Sequence, residues 1–239
     1  MIDIKMFGSW IECKCWNNAL DWEKRKQLGS DCKLWVPQIK KIILDDLYRS
    51  LILWDKIVFE VVENEKFLSK TGLENYLEFD IWNTKFAIFD NHNIALYFLW
   101  KYFFETRKKL DLIHIDQHSD LRKPDFMPEI LNTEKKLIDY TLKWVNVWNY
   151  LLPAQKFFIN QIYQVRAEPK LFELTKDFVK WKILNIDLDF WAPEMGTSLE
   201  SLKYLKELLF EAKLVLIATS PYFLEQNRAV ELVKKLLTI

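Results

Sequence analysis

Three short stretches carry the residues best suited to chemistry. Asp90-Asn91-His92-Asn93, Asp116-Gln117-His118-Ser119-Asp120 and Asp187-Leu188-Asp189 each follow directly on a short apolar run. Residues two apart on a strand point to the same face, so Asp116 and His118 can converge, and so can Asp187 and Asp189. Asp120 joins them if the chain turns just after His118. Four carboxylates (Asp116, Asp120, Asp187, Asp189) and two imidazoles (His92, His118) in one crevice would repel strongly. Two divalent cations cancel four negative charges in full, and one does not. Oxygen-rich sites with imidazole suit a harder ion such as Mn2+, whereas zinc sites more often use thiolate or imidazole. The pattern therefore predicts a centre for two Mn2+ ions.

Each residue alone has a plainer explanation. An aspartate after a strand often caps the next helix, and a buried histidine can be satisfied by hydrogen bonds. The distribution favours a joint role: the chain has three histidines, and two of them fall at these positions. The third, His114, lies two residues before Asp116 and can share its face. A structural or supporting role beside the ligands is expected for it.

The elements that must position these groups are legible as short apolar runs. Phe86–Phe89, Leu112–Ile115, Ile183–Ile186 and Leu214–Ala218 read as buried strands. Helical patterns cover Ile94–Arg107, Lys135–Trp148 and about Leu224–Leu237. Another helix follows Thr197, where Thr197 and Glu200 fit a capping box. Apolar strands alternating with helices predict an α/β fold with a mostly parallel sheet covered by helices on both faces. In such sheets the ligand crevice lies at the carboxyl ends of the strands, which is where the acidic and imidazole residues fall. The first 85 residues carry weaker signals, with one or two strands expected, including Lys56–Val62. No repeat or linker composition appears, so one domain over residues 1–239 is the simplest organisation.

Composition excludes several classes. The 34 Lys and Arg balance the 34 Asp and Glu, leaving no basic excess for nucleic-acid binding. The four glycines are scattered singly, which disfavours phosphate loops, dinucleotide fingerprints and the Ser-nucleophile elbow. The longest apolar candidate for a membrane span, Phe86 to Phe104, is broken at Asp90-Asn91-His92-Asn93. Cys13, Cys15 and Cys32 are an odd number near the start, and the opening MIDIKMFGSW lacks a secretory pattern. A reducing, cytoplasmic setting with free thiols is expected; a soft-metal site on Cys13-Lys14-Cys15 would lack a nearby histidine.

The Asp116-x-His118-x-Asp120 and Asp187-x-Asp189 pair resembles the arginase/ureohydrolase and deacetylase-like superfamily, which has a three-layer α/β fold. Phe89-Asp90-Asn91-His92-Asn93, Trp148-Asn149-Tyr150-Leu151-Leu152-Pro153-Ala154 and Ile186-Asp187-Leu188-Asp189-Phe190-Trp191 are similar to its peptide arginase branch. The resemblance covers about residues 85 to 225. It implies that arginine residues of a ribosomally made peptide are converted to ornithine with release of urea, by attack of metal-activated water on the guanidinium carbon. It also implies a ligand assignment. One metal would take His92, Asp116, Asp120 and Asp187, and the other Asp116, His118, Asp187 and Asp189, with Asp116 and Asp187 bridging. Glu225, after the last core strand, is the implied carboxylate for orienting the guanidinium, with a helix-start role as its alternative. Trp148 and Asn149 are candidates for a peptide-facing wall. Two departures stand out: the Gly-Gly-Asp-His stretch of classical arginases is absent, and their proton-shuttle histidine has no evident counterpart. The other functions left open are hydrolysis of free arginine, agmatine or acyl-lysine, and a non-catalytic metal-binding module.

Overall fold

Alternation of fully buried apolar side chains to opposite faces builds the centre of the molecule. The computed structural model describes residues 6–12, 22–31 and 33–238. Cys13, Cys15 and Cys32 lie outside them. The early strands are β1 (Ser9–Glu12), β2 (Lys33–Val36), β3 (Gln38–Lys41), β4 (Leu53–Glu63), β5 (Lys66–Leu73) and β6 (Asn75–Ile81). They are followed by β7 (Thr84–Phe89), β8 (Leu110–Ile115), β9 (Ile159–Val165), β10 (Ile183–Asp187) and β11 (Leu214–Ala218). The helices are α1 (Trp22–Gln27), α2 (Leu47–Ser50), α3 (Ala95–Thr106), α4 (Glu134–Trp144) and α5 (Leu151–Phe157). The later ones are α6 (Glu168–Phe172), α7 (Lys176–Val179), α8 (Leu199–Leu208) and α9 (Gln226–Leu237).

Seven strands form one sheet in the order β3-β6-β7-β11-β10-β8-β9. Every neighbouring pair is parallel except β6 with β7. On β8 and β10, Ile113, Ile115, Leu184 and Ile186 join the core formed with α8 and α9. Leu112 and Ile183 point the other way, into the core formed with α3, α4 and α5. The result is a three-layer α/β arrangement. Burying one such Leu or Ile contributes about 1.5–3 kcal/mol, so a one-residue slip of either strand is strongly disfavoured. That register matters for function, because His114 and Asn185 occupy the same face as Leu112 and Ile183.

The four expected strands are all present, with β7 and β8 each starting two residues earlier than predicted. Three helical expectations need correction. The predicted helix over Lys135–Trp148 stops at Trp144, where Val145 turns extended. Beyond it, Asn149 Nδ2 donates to the Trp144 carbonyl, and Asn146 Oδ1 accepts from the Trp148 amide. These side chains compete with the helical ladder and end it. The predicted capping role of Thr197 belongs to Ser198, whose hydroxyl accepts from the Ser201 amide, while Thr197 donates to the Phe190 carbonyl. The last helix begins at Gln226 rather than Leu224.

The N-terminal region holds more strands than predicted. β4 and β5 form a long antiparallel hairpin, and β1 pairs antiparallel with β2. The expected strand over Lys56–Val62 lies within β4, whereas the others bury few consecutive residues, so no continuous apolar run marks them. Among the described residues, no helix is long and apolar enough to cross a membrane.

Candidate metal centre

The carboxyl ends of β7, β8, β10 and β11 meet at one edge of the sheet. β7 leads through Asp90 and Asn91 into a 3-10 turn at His92–Ile94, where His92 is buried. Asp90 Oδ1 accepts from the Leu73 amide at 2.8 Å, and Asn91 Nδ2 donates to the Val58 carbonyl at 3.1 Å. These two residues thus pin the β4–β5 hairpin over the sheet edge. A Cβ at position 72 would lie 2.6 Å from Asp90 Oδ1, so the hairpin can approach this closely only as Gly72.

Turns gather the remaining groups. β8 ends at Ile115, and Asp116 Oδ1 accepts the backbone N–H of His118, folding the chain back. Asp120 follows with φ +52°, a left-handed conformation that aspartate tolerates better than most residues, and it re-enters the site. β10 ends at Asp187, whose Oδ1 accepts the Asp189 amide at 3.0 Å as a 3-10 turn begins. The expected strand alternation therefore does not align these pairs. Asp-led turns do, because the polar side chain satisfies the backbone amide that the ending strand leaves free.

Two groups result, and Asp116 belongs to both. His92 Nδ1 lies 2.9 Å from Asp116 Oδ2, 3.1 Å from Asp187 Oδ2 and 3.3 Å from Asp120 Oδ2. His118 Nδ1 lies 3.0 Å from Asp189 Oδ2 and 3.4 Å from Asp116 Oδ1. Asp187 instead keeps Oδ1 on the Asp189 backbone and receives the Ser220 hydroxyl on Oδ2 at 2.6 Å. It forms no ion pair with His118, and its contacts lie with His92, the Ser220 hydroxyl and the Asp189 amide. Asp189 Oδ1 is buried without a hydrogen-bond partner. An orphaned carboxylate oxygen beside three converging acids is what a cation site requires. The donor set fits divalent metal: His92, His114 and Asp116 lie close enough to share an ion, as do Asp116, His118 and Asp189, and Asp120 and Asp187 stand beside His92.

The electrostatics point the same way. Burial opposes charge on His92, but Asp187, Asp116 and Asp120 outweigh it and hold its pKa well above the ordinary value. Hydrogen bonds to Asp116 and Asp189 raise His118 to about 10. Burial, reinforced by Asp116, raises Asp120 to about 7. Burial and then the Asp187 and Asp116 charges raise Asp189 well above the carboxylate range. Burial would raise Asp116 too, but the neighbouring His114, His118 and His92 rings overcome it and hold that carboxyl far below the range. His114 is driven the opposite way from its fellow histidines, down to about 3, chiefly by burial.

Above the centre lies a narrow crevice with a cavity volume of about 10 Å³. His92, His118, Asp120 and Asp187 form its floor, and Phe59, Trp148, Tyr222 and Phe223 its walls. Phe59 stacks on Tyr222 at 4.9 Å, and Phe223 packs on His118 at 4.5 Å. Of the expected peptide-facing pair, Trp148 is in the wall, whereas Asn149 is buried and spent on the turn after α4. Tyr150 sits behind the site, its ring 5.1 Å from that of His92.

Glu225 is elsewhere. Its side chain is exposed and accepts from the Asn227 and Arg228 amides, capping α9 and favoured there by the helix dipole. The guanidinium-orienting role expected of it is thus corrected to a structural one, since a carboxylate committed to a helix start is not directed at the pocket. Glu225→Ala is accordingly expected to cost about 1 kcal/mol of stability by thermal or urea unfolding. Metal content should be unchanged; loss of metal would place Glu225 back in the centre.

Sequence reasoning missed Phe59, Tyr222, Phe223, Ser220 and Asn185. A polar Asn185 inside an otherwise apolar strand was the one available signal among them. No protein-family model matches the chain, and no curated protein matches it either.

Proposed function

We propose that this chain is a binuclear-metal hydrolase that converts arginine residues of a peptide to ornithine and urea. The observation that carries the reading is the pair of carboxylate–imidazole groups joined through Asp116. Two divalent ions, Mn2+ by ligand type, would supply activated water and charge stabilisation when bound. The protein's own contribution is to bind them, keep the floor dry and present the substrate carbon to it.

The lining of the crevice, rather than its volume, supports a cationic side chain as substrate. Aromatic faces on Phe59, Trp148 and Tyr222 can pack the aliphatic stem and attract a cation. The arginase-like motifs supply the guanidinium and the peptide context. A second reading, hydrolysis of an acyl-lysine, is favoured by one observation: no carboxylate outside the two metal groups is among the described residues lining the pocket.

The test uses the full chain with Mn2+ and two separate peptides, one with arginine and no acyl-lysine, the other the reverse. Separate peptides are needed because both reactions remove about 42 Da from the peptide. Mass loss in the arginine peptide, with free arginine turned over poorly, is the expected result. Loss only from the acyl-lysine peptide, or rapid turnover of free arginine, overturns the reading.

The ligand assignment has its own expected outcome. His118→Ala and Asp189→Ala should each lose one manganese equivalent and keep the other, because the His92, Asp120 and Asp187 group is untouched. Asp120→Ala should do the converse. Metal analysis showing full occupancy in all three would remove the two-ion assignment.

A further inference from the structure

His92 and His114 are stacked with ring centroids 5.2 Å apart, both buried, and both point a nitrogen at Asp116. Distance alone does not say which is a ligand. Behind them, the pairing of β10 with β8 sets Asn185 opposite His114. Asn185 Oδ1 lies 3.1 Å from His92 Nε2, and Asn185 Nδ2 lies 3.1 Å from His114 Nδ1. The same Nδ2 donates to the Tyr150 hydroxyl at 2.7 Å. One amide side chain thus contacts both rings at their far nitrogens.

We propose that Asn185 is a positioning residue that makes His92 a metal ligand and, by placing the His114 proton on Nε2, keeps His114 from being one. The inference rests on the metal reading above. A neutral imidazole carries one proton, and the partner of one nitrogen decides which nitrogen holds it. The Asn185 carbonyl can only accept, so it requires the His92 proton on Nε2 and leaves Nδ1 bare toward Asp116, Asp120 and Asp187. The Asn185 amide can only donate, so it requires His114 Nδ1 to be bare. The His114 proton then sits on Nε2, which lies 3.3 Å from Asp116 Oδ2 without forming a hydrogen bond. A protonated Nε2 cannot bind the ion. The opposite amide orientation would put a proton on His92 Nδ1 and block the site. The second N–H of Asn185 has Tyr150 as its acceptor, so every polar atom of this buried amide is used in the proposed orientation.

The experiment is long-range 1H–15N correlation spectroscopy on the full chain carrying 15N-histidine. Zn2+ is the diamagnetic probe, and only three imidazoles contribute. The expected spectrum shows protonated Nε2 on both His92 and His114, with a metal-shifted Nδ1 on His92 only. Asn185→Asp keeps an acceptor for His92 but removes the donor to His114. Its His114 proton should therefore move to Nδ1 while the His92 pattern stays, an effect that loss of packing would not produce. Asn185→Leu removes both contacts and should weaken Zn2+ binding about 10–100-fold. Should that variant not fold, the wild-type and Asn185→Asp spectra still decide the matter. A metal-shifted nitrogen on His114, a wild-type His114 proton on Nδ1, or an unchanged His114 in Asn185→Asp overturns the inference and leaves the metal reading standing. Failure of the wild-type chain to bind Zn2+ or Mn2+ overturns both.

Discussion

Asp116→Asn is expected to empty both metal positions and reduce turnover by orders of magnitude, while His118→Ala empties one. The difference follows from how the two oxygens are used. Oδ2 faces His92 at 2.9 Å and Oδ1 faces His118 at 3.4 Å, so each half of the carboxylate serves a different group. An amide keeps one oxygen and presents an NH2 in place of the other. One group loses an anion and gains a donor aimed at its cation, and the other loses the negative charge shared through the carboxylate. Binding of either ion is thereby weakened, and with it the activation of water. The metal-free fold should survive, because the substitution removes one of several crowded buried acids. Metal analysis with turnover on the same preparation checks this. If Asp116→Asn retained both ions and normal activity, the shared position of Asp116 would be wrong.

Acid should strip the metals steeply, well above the pH at which carboxylates ordinarily protonate. In the metal-free protein His118 holds its proton up to about pH 10, and His92 is held charged well above the ordinary histidine value. An ion bound to either ring must displace that proton, so affinity rises with pH and falls as pH is lowered. Each displaced proton is worth a factor of about ten per pH unit, so the product of the two binding constants should fall about a hundredfold per unit. Protonation of Asp189, held well above the carboxylate range, and below about pH 7 that of Asp120 add to the slope. Mn2+ titrations at a series of pH values, with proton release followed in buffers of differing ionisation enthalpy, test this directly. Affinity flat between about pH 6 and 8 would mean that the imidazoles are not ligands.

Much of this molecule is written in local sequence. Runs such as Leu112–Ile115 and Ile183–Ile186 can only be buried strands, and parallel strands bring their carboxyl ends to one edge. That alone placed His92, Asp116, His118, Asp120, Asp187 and Asp189 in the same neighbourhood and made cation binding the economical explanation of so many acids. The tertiary structure decided how they divide. Asp-led turns, not strand alternation, set Asp189 against His118 and kept Asp187 with His92. Glu225, equally plausible from its position after β11, was claimed by the start of α9. The lining of the pocket was illegible for a different reason. Phe59 reaches the site on a hairpin pinned by Asn91 and allowed close by Gly72, and Asn185 meets His114 only through the register of β10 on β8. Periodicity reports which face a residue occupies, but pairing between distant segments depends on the packing of the whole core, and no local pattern carries it.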